Sequence, residues 1–437
     1  MDIPISYNLR NIAARKTTSF MTMLGIALTV AVLLAVAGLA MPLRGTGAQG
    51  QACVPEAWRL PATHLVAPQS AVWVRDELVV TGSVALENVR GDDGHLRTGD
   101  TAFAAVRARR GEPLRVIPRP PGVTFFGEPR VVLEGSGELA ILFARPDRIT
   151  PEGDGAGFWR LQRAAVAADS LAPGIAIGRD AYEPRFGRWA ASGLVPGGAY
   201  QWMAYVAQAV RTETPRVRLV REKGGRWEEE IVTIGVQLMS AVDLVVLGAD
   251  PALLVVGAVL AELPPLTSVG FRPYLVRRAG DTWGRPLPLA PWGELVSNPV
   301  LSRASGGVLA AWISDGPSGP ALLWRLAYDD GSLGDTQIRD GFVQVERGGP
   351  DFPGLVLGVR ADGTATLLRL TAEGADELGT LQLIQRVAIA IAGPPGRPHV
   401  IVFEQDPSET EPNGQLVAYD FGCAWRKLRA VQGGGSR

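Results

Sequence analysis

The chain has 437 residues, 46% of them apolar and 20% charged, with 43 basic residues against 44 acidic. That length holds two or three average domains or one large all-β domain, with enough apolar content to bury a core. The near-neutral, well-mixed charge excludes the basic stripe of a nucleic-acid groove, so no nucleic-acid partner is expected. His64, His95 and His399 share no ligand spacing with each other or with the two Cys, so no zinc site is expected. Each His reads as a loop or strand-end residue. Only Lys16, Lys223 and Lys427 are lysines. The excess of Arg reads as a compositional bias, because surface Arg and Lys do similar solvating work.

In chain order, residues 1–19 form an amphipathic segment and residues 20–42 a transmembrane helix. Phe20 to Met41 is an uncharged run of 22 residues, about 33 Å as a helix, enough to cross a bilayer core. Arg10, Arg15 and Lys16 precede it and Arg44 follows, which places the amino terminus in the cytoplasm and the rest outside. A cleaved signal peptide ending near Gly38-Leu39-Ala40 is the alternative, although the run is long for one. Residues 43–52 read as a flexible stalk.

The stretch from Met1 to Ile12 (MDIPISYNLRNI), with Ala14 to Thr18 and Leu24 to Leu28, resembles the start of ABC transporter permeases of the macrolide-export and lipoprotein-release type. The resemblance covers about 40 residues and implies a short interfacial helix before the membrane span, with ABC components as partners. It also implies the cytoplasmic (inner) membrane of a bacterium, with the carboxyl-terminal domain periplasmic or extracellular. The permeases carry three more transmembrane helices, and no later run here qualifies. The best, Ala241 to Leu263, is interrupted by Asp243, Asp250, Pro251 and Glu262.

From Cys53 onward no helical periodicity of useful length is present. Apolar runs bounded by Gly, Pro and Asp recur at Ala71–Thr81, Arg130–Phe143, Tyr200–Val206, Leu253–Leu260, Gly307–Ile313, Gly354–Val359 and His399–Phe403. A phrase of strand, Gly turn and aromatic return strand also repeats, most fully at Val276–Trp283, Val220–Trp227 and Ala418–Trp425, and in part at Ala327–Gly331. Gly111, Gly224, Gly280, Gly331, Gly374 and Gly422 are spaced by 113, 56, 51, 43 and 48 residues. The first gap hides one degenerate unit near Arg163–Ala167. Seven units of this size predict an all-β fold, a seven-bladed β-propeller over residues 53–430, with six or eight blades as alternatives. Residues 431–437 read as a flexible tail.

The phrase resembles the Asp-box turn, Ser-x-Asp-x-Gly-x-Thr-Trp, of sialidase-like propellers. That resemblance implies structural roles for Gly224, Trp227, Gly280, Trp283, Asp329, Gly331, Asp420, Gly422 and Trp425. In that family the Asp accepts backbone N–H bonds, the Gly takes a positive φ and the Trp packs between sheets. Arg278 replaces the Asp in the fullest copy. Cys53 and Cys423 lie where the first and last blades of a ring must meet, so a disulfide there would fasten it, with two free thiols as the alternative.

Charged residues following the apolar runs could reach one mouth of the ring: Arg145, Asp147, Asp315, Arg360, Asp362, Glu404 and Asp406. A sialidase-like enzyme would need three Arg on a carboxylate, a Tyr beside a Glu and an acid/base Asp; no Tyr–Glu pair is assignable from sequence. Arg272-Pro273-Tyr274 is only faintly similar to the family's Arg-Ile-Pro signature. The loops Asp92-Asp93-Gly94 and Glu404 to Glu411 carry carboxylates suited to calcium but lack Asp-x-Asp-x-Asp-Gly spacing. The expectation is therefore a cofactor-free module binding a protein or glycan at the mouth, rather than an enzyme. An accessory ABC subunit and a sialidase-like glycosidase are the alternatives.

Overall fold

The protein is described from a computed structural model covering residues 53–60, 65–85, 88–90, 96–98, 101–117, 127–134, 137–149, 157–167, 170–178, 181–185, 195–197, 200–208, 214–258, 271–290, 296–316, 318–349, 351–383, 386–405 and 414–433. Contacts divide the chain into Met1–Ala52 and Cys53–Arg437. The expected amphipathic segment, membrane span and stalk all lie outside the described residues. No described helix is long and apolar enough to cross a membrane.

Cys53–Arg437 forms a seven-bladed β-propeller of antiparallel, mostly four-stranded blades, named here from the inner strand outward. Blade one is Leu65–Val74, Glu77–Ala85, Thr101–Arg109 and Arg115–Ile117; blade two is Gly127–Leu133, Leu139–Ile149, Gly157–Ala165 and Ile175–Ala176. Blade three is Val195–Gly197, Tyr200–Gln208, Arg216–Lys223 and Arg226–Ile231. Blade four is Gln237–Leu247, Asp250–Ala258 and Arg272–Ala279, with Thr282–Trp283 and Leu287–Pro288 as its broken outer strand. Blade five is Val296–Ala304, Gly307–Gly316, Gly319–Tyr328 and Gln337–Asp340; blade six is Phe342–Arg347, Leu355–Arg360, Thr364–Leu370 and Ala375–Gln382. Blade seven takes Arg386–Ala392, His399–Gln405 and Gly414–Asp420 from the carboxyl end and its outer strand, Glu56–Arg59, from the amino end. Ala181–Arg185 pairs with both the third strand of blade two and the second strand of blade three, stitching those blades into one sheet.

The second strand of each blade is apolar on both faces because a neighbouring blade covers each face. In blade four, Leu253 and Val255 pack toward blade three while Ala252 and Leu254 pack toward blade five. Each of the seven apolar runs of the sequence overlaps the second strand of a blade. Two of them hold a hairpin rather than one strand. Ala71–Thr81 turns at Arg75, whose φ is +56°, and Arg130–Phe143 turns between Leu133 and Leu139. Buried clusters fill the interfaces between successive blades, including the one between blades seven and one that holds Leu60, Leu78, Ile401 and Phe403.

The spaced glycines mark one recurrent place, the end of the third strand. Gly111, Gly224, Gly280 and Gly331 turn there with φ between +58° and +87°, and Arg163–Ala167 occupies the same place in blade two. Gly374 lies in the equivalent turn of blade six without a positive φ. Gly422 is a correction: it makes no hairpin. Blade seven receives its fourth strand from the amino end, so the chain is free to leave the sheet after Asp420. It starts helix α1, Gly422–Gly433. That helix also corrects the expectation of no helix after Cys53; it ends at Gly433, and residues 434–437 of the expected tail lie outside the described residues. A Cβ on Gly422 would lie 2.6 Å from Arg397 Cγ, so close approach explains the glycine. Asp420 Oδ1 accepts the Gly422 N–H at 2.8 Å.

Trp227, Trp283 and Trp425 pack between blades two and three, three and four, and six and seven respectively. Asp329 is a second correction. The neighbouring Asp330 accepts the Ser332 N–H at 2.8 Å, while Asp329 is exposed and faces Arg277 at 3.7 Å. A disulfide joins Cys53 to Cys423, with Cα atoms 5.7 Å apart and a sequence separation of 370.

Candidate functional site

In an antiparallel blade, the turns between second and third strands share one face of the ring, and the turns between third and fourth strands share the other. The described residues among those expected at a mouth fall toward the first of these faces. Arg145 and Asp147 lie in the second strand of blade two, Asp315 near the end of that of blade five, and Arg360 at the end of that of blade six. Asp362 sits in the following turn, and Glu404 is one residue from the end of the second strand of blade seven. Asp406 lies outside the described residues, as do Asp92–Gly94 and the loop after Gln405. Blade one adds to this face a small hairpin, Asn88–Arg90 with Leu96–Thr98.

These residues share a face without sharing a centre. Arg360 lies over the Phe342 ring, 4.4 Å from its centroid, and its Nη1 donates to the Asp340 carbonyl at 3.2 Å. Phe342 reaches that place because Gly358 is bare: a Cβ there would lie 2.6 Å from the ring. Asp362 Oδ1 accepts the Thr364 N–H at 2.8 Å, a bond that holds its pKa below the usual carboxylate value. Gln382 on the outer strand donates to the Asp362 carbonyl at 3.0 Å and pins the turn. Asp315 is exposed, its backbone opposite Pro320 in the tight hairpin.

Glu404 is the most constrained of them. Its Oε2 accepts from Arg59 Nη1 at 2.8 Å and its Oε1 from the Tyr419 hydroxyl at 2.8 Å. The hydrogen bond to Glu404, with the charge behind it, raises the Arg59 pKa. This Tyr–Glu pair could not be assigned from sequence, since its members lie 15 residues apart on adjacent strands. A second pair is deeper. The Tyr205 hydroxyl donates to Glu229 Oε2 at 3.0 Å, and Arg218 Nη1 to Glu229 Oε1 at 2.5 Å. Burial, then the Glu229 charge, pushes the Tyr205 pKa well up. The Tyr205 and Glu229 side chains pack out of solvent contact between blades two and three, so this pair ties the fold together.

No protein-family model and no curated protein matches the chain. Solved structures do. The polysaccharide lyase Uly1 superposes with a TM-score of 0.53 at 9% identity, over 82% of this chain and 91% of that one. A protein of unknown function from Dyadobacter fermentans gives 0.49 at 12% identity, over 84% and 97% of the two chains. The sialidase of Trypanosoma rangeli gives 0.44 at 10% identity, over 84% of this chain and 56% of its own. At such identities the likeness is one of fold.

The sequence missed how the ring uses arginine. Arg347, at the end of the inner strand of blade six, reaches past blade five to Asp243 on the inner strand of blade four, with Nη1 3.1 Å from both carboxylate oxygens. The same nitrogen donates to the Leu244 carbonyl at 3.0 Å and the Leu301 carbonyl at 3.2 Å, and Asp243 accepts the Leu301 N–H at 2.7 Å. Three consecutive inner strands are thereby strapped together. Arg278 bonds Glu230 of blade three at 3.2 Å and lies near Trp202 and Trp283, while Arg277 donates to the Tyr328 carbonyl of blade five at 2.7 Å. In blade one the buried Glu77 carboxylate gathers Arg107, Arg109 and Arg115. The bias toward Arg is therefore more than solvating surface charge: a flat fork with several donors can meet carbonyls and carboxylates of neighbouring blades at once. Arg272-Pro273-Tyr274 opens the third strand of blade four, at the same face as the candidate residues, with Arg272 half-buried and Pro273 and Tyr274 buried. Among the described residues no cluster of His, Cys, Asp or Glu could hold a metal ion.

Proposed function

We propose that the chain is a membrane-anchored β-propeller that works outside the cytoplasmic membrane as a binding module for an envelope protein or a glycan, at the face carrying the second-to-third turns. The observation that carries this reading is the local fixing of that face. Arg360, Asp362 and Glu404 are each held by partners in or beside their own blade, so polar groups are presented on a rigid ring at separate points. Such an arrangement suits recognition over an area more than chemistry at one atom. The uncharged run from Phe20 to Met41 supplies the anchor.

Tagged full-length protein, taken up in mild detergent, tests this when its co-purifying molecules are identified by mass spectrometry and glycan analysis. Retention of an envelope protein or glycan by the wild type, and its loss in Asp315→Arg, supports the reading. Retention unchanged by Asp315→Arg and by loss of the blade-one hairpin moves the site off this face. Recovery of an ABC ATPase with a complete permease would instead make the chain an accessory subunit of an exporter, the alternative resting on residues 1–40.

A second reading has one observation in its favour, the Tyr419–Glu404 hydrogen bond beside Arg59. A glycosidase using that pair would hydrolyse a fluorogenic glycoside and lose the activity in Tyr419→Phe and Glu404→Gln. Turnover unchanged in both variants removes it.

A further inference from the structure

Blade seven meets blade one where the ring closes, and the strand register sets what it presents there. His399 lies opposite Asp420, and Asp420 opposite Glu56, so the three form a row across blade seven at the third-to-fourth-turn face. The row shares its side of the sheet with Ile401, Ala418 and Trp58, which pack against Leu78 and Val80 of blade one. The disulfide does not cross this seam. It joins Cys53, before the outer strand of blade seven, to α1, which follows the third strand of the same blade. At this end the seam is held by side chains. The His399 ring stacks on Trp73 of blade one with centroids 4.6 Å apart, Trp58 meets Trp73 edge-on at 5.8 Å, and Arg110 of blade one pairs with Glu56 at 3.4 Å.

His399 is 2% exposed, and its surroundings favour the neutral imidazole. Nδ1 lies 2.9 Å from the Arg397 carbonyl, which can only accept, so Nδ1 carries the proton and Nε2 is bare. Nε2 lies 3.9 Å from Asp420 Oδ2, and that oxygen already accepts from Arg397 Nε at 2.6 Å and Nη2 at 2.5 Å. The charged groups around the imidazole are Asp420 on the third strand, Glu56 on the outer strand, Arg397 on the preceding turn and Arg110 on the third-to-fourth turn of blade one. Arg75 and Asp76 follow Trp73 on the first-to-second turn of blade one, with Asp76 2.9 Å from Arg109. Burial, with Arg397 and Arg110 adding to it, holds the His399 pKa below its ordinary value of 6.5, against the Asp420 charge and the bond to the Arg397 carbonyl.

We propose that His399 makes this end of the seam an acid-operated latch, shut while the imidazole is neutral and released on its protonation, when Trp73 and blade one part from blade seven. A proton on Nε2 sets His399 and Arg397 in competition for one Asp420 oxygen, and the imidazolium is hydrated only when its stack on Trp73 opens. Because the native pKa is lowered, the contribution of the neutral imidazole is complete above the ordinary value and is lost as pH falls through the native one. Release takes up one proton, so the open form grows about tenfold for each pH unit between the open and closed pKa values. The disulfide holds the outer strand on blade seven, so the latch opens without unfolding that blade.

Hydrogen exchange of the full chain in mild detergent, followed by mass spectrometry from about pH 7 to about pH 5 and corrected for the intrinsic rate, tests this. Peptides from Leu65–Val74 and His399–Gln405 should lose protection as pH falls, by up to about tenfold per unit, while those from Gly307–Gly316 of blade five keep theirs. His399→Gln, which binds no proton, should remove the slope from the first two. An equal slope in the variant, or no slope in the wild type, overturns the latch. NMR titration of the wild-type imidazole carbons, with His64→Gln and His95→Gln assigning the other two signals, decides the matter even where His399→Gln fails to fold. A His399 signal titrating below the ordinary value supports the latch, and one titrating at or above it overturns it.

Discussion

Removing Arg347 should expose how much the strap across blade five contributes. Burial raises the Asp243 pKa, against the opposing pull of Arg347 and of the backbone N–H groups of Leu301 and Leu244. In Arg347→Met the Asp243 carboxylate, only 5% exposed, loses its ionic partner Arg347 and keeps its desolvation cost. Breaking a buried pair in this way costs about 3–5 kcal/mol, and the partial exposure of Arg347 favours the lower end. For a ring of nearly 400 residues the unfolding entropy near the midpoint is about 0.8 kcal/mol/K, so melting should fall by about 4–6 °C at neutral pH. The pH dependence carries the sharper test. A carboxyl whose native pKa is raised holds its proton more tightly when folded. Its contribution is most favourable below the unfolded value and is lost as pH rises through the native value. Arg347→Met raises the native value further, so its deficit against wild type should shrink as pH falls toward about 5. Adding Asp243→Asn removes the charge but keeps an acceptor for Leu301, and should recover most of the loss. Calorimetry of the three proteins at both pH values decides it. A deficit constant with pH, or no recovery in the double variant, would refute the argument that an uncompensated buried charge causes the loss.

The ring closure is open to the same kind of measurement. Cys423→Ser should lower the melting temperature, and reductant should lower the wild type to the same point. The chain-entropy account puts the loss at up to about 6 kcal/mol for so long a loop, and a reductant-insensitive wild type would remove the disulfide from the ledger. Gly358→Ala should destabilise the ring severely or prevent folding, because its Cβ would enter the Phe342 ring. Gly374→Ala, with nothing within 4 Å of its Cβ, should be near neutral in the same thermal scan. Glu404→Gln should cost under about 1 kcal/mol, because Arg59 is half exposed and the pair is screened. A larger loss in a urea titration would show that Tyr419 depends on the carboxylate more than this geometry implies.

Architecture was legible in the sequence because a propeller writes itself twice per blade. The second strand lies between two neighbouring blades, so Leu253, Leu254 and Val255 read as one apolar run, and seven such runs count seven blades. The turn after the third strand needs a glycine in most blades, and its spacing counts them again. The same logic failed at Gly422 for a topological reason. Only in blade seven is the fourth strand supplied from the far end of the chain, so only there is the third strand free to run into a helix; the phrase Asp420-Phe421-Gly422-Cys423 looks like a turn and is a helix start. At the candidate site, the sequence placed charged residues at the ends of the right strands, because strand ends follow from apolar runs. It could not say which way those side chains turn. Glu404 finds Arg59 across 345 residues and Asp243 finds Arg347 across 104, and neither separation leaves a periodic trace. Partnerships between blades are set by ring closure, which a local pattern does not encode. They decide which charged residues are tied inside the ring and which, like Asp315, still face outward.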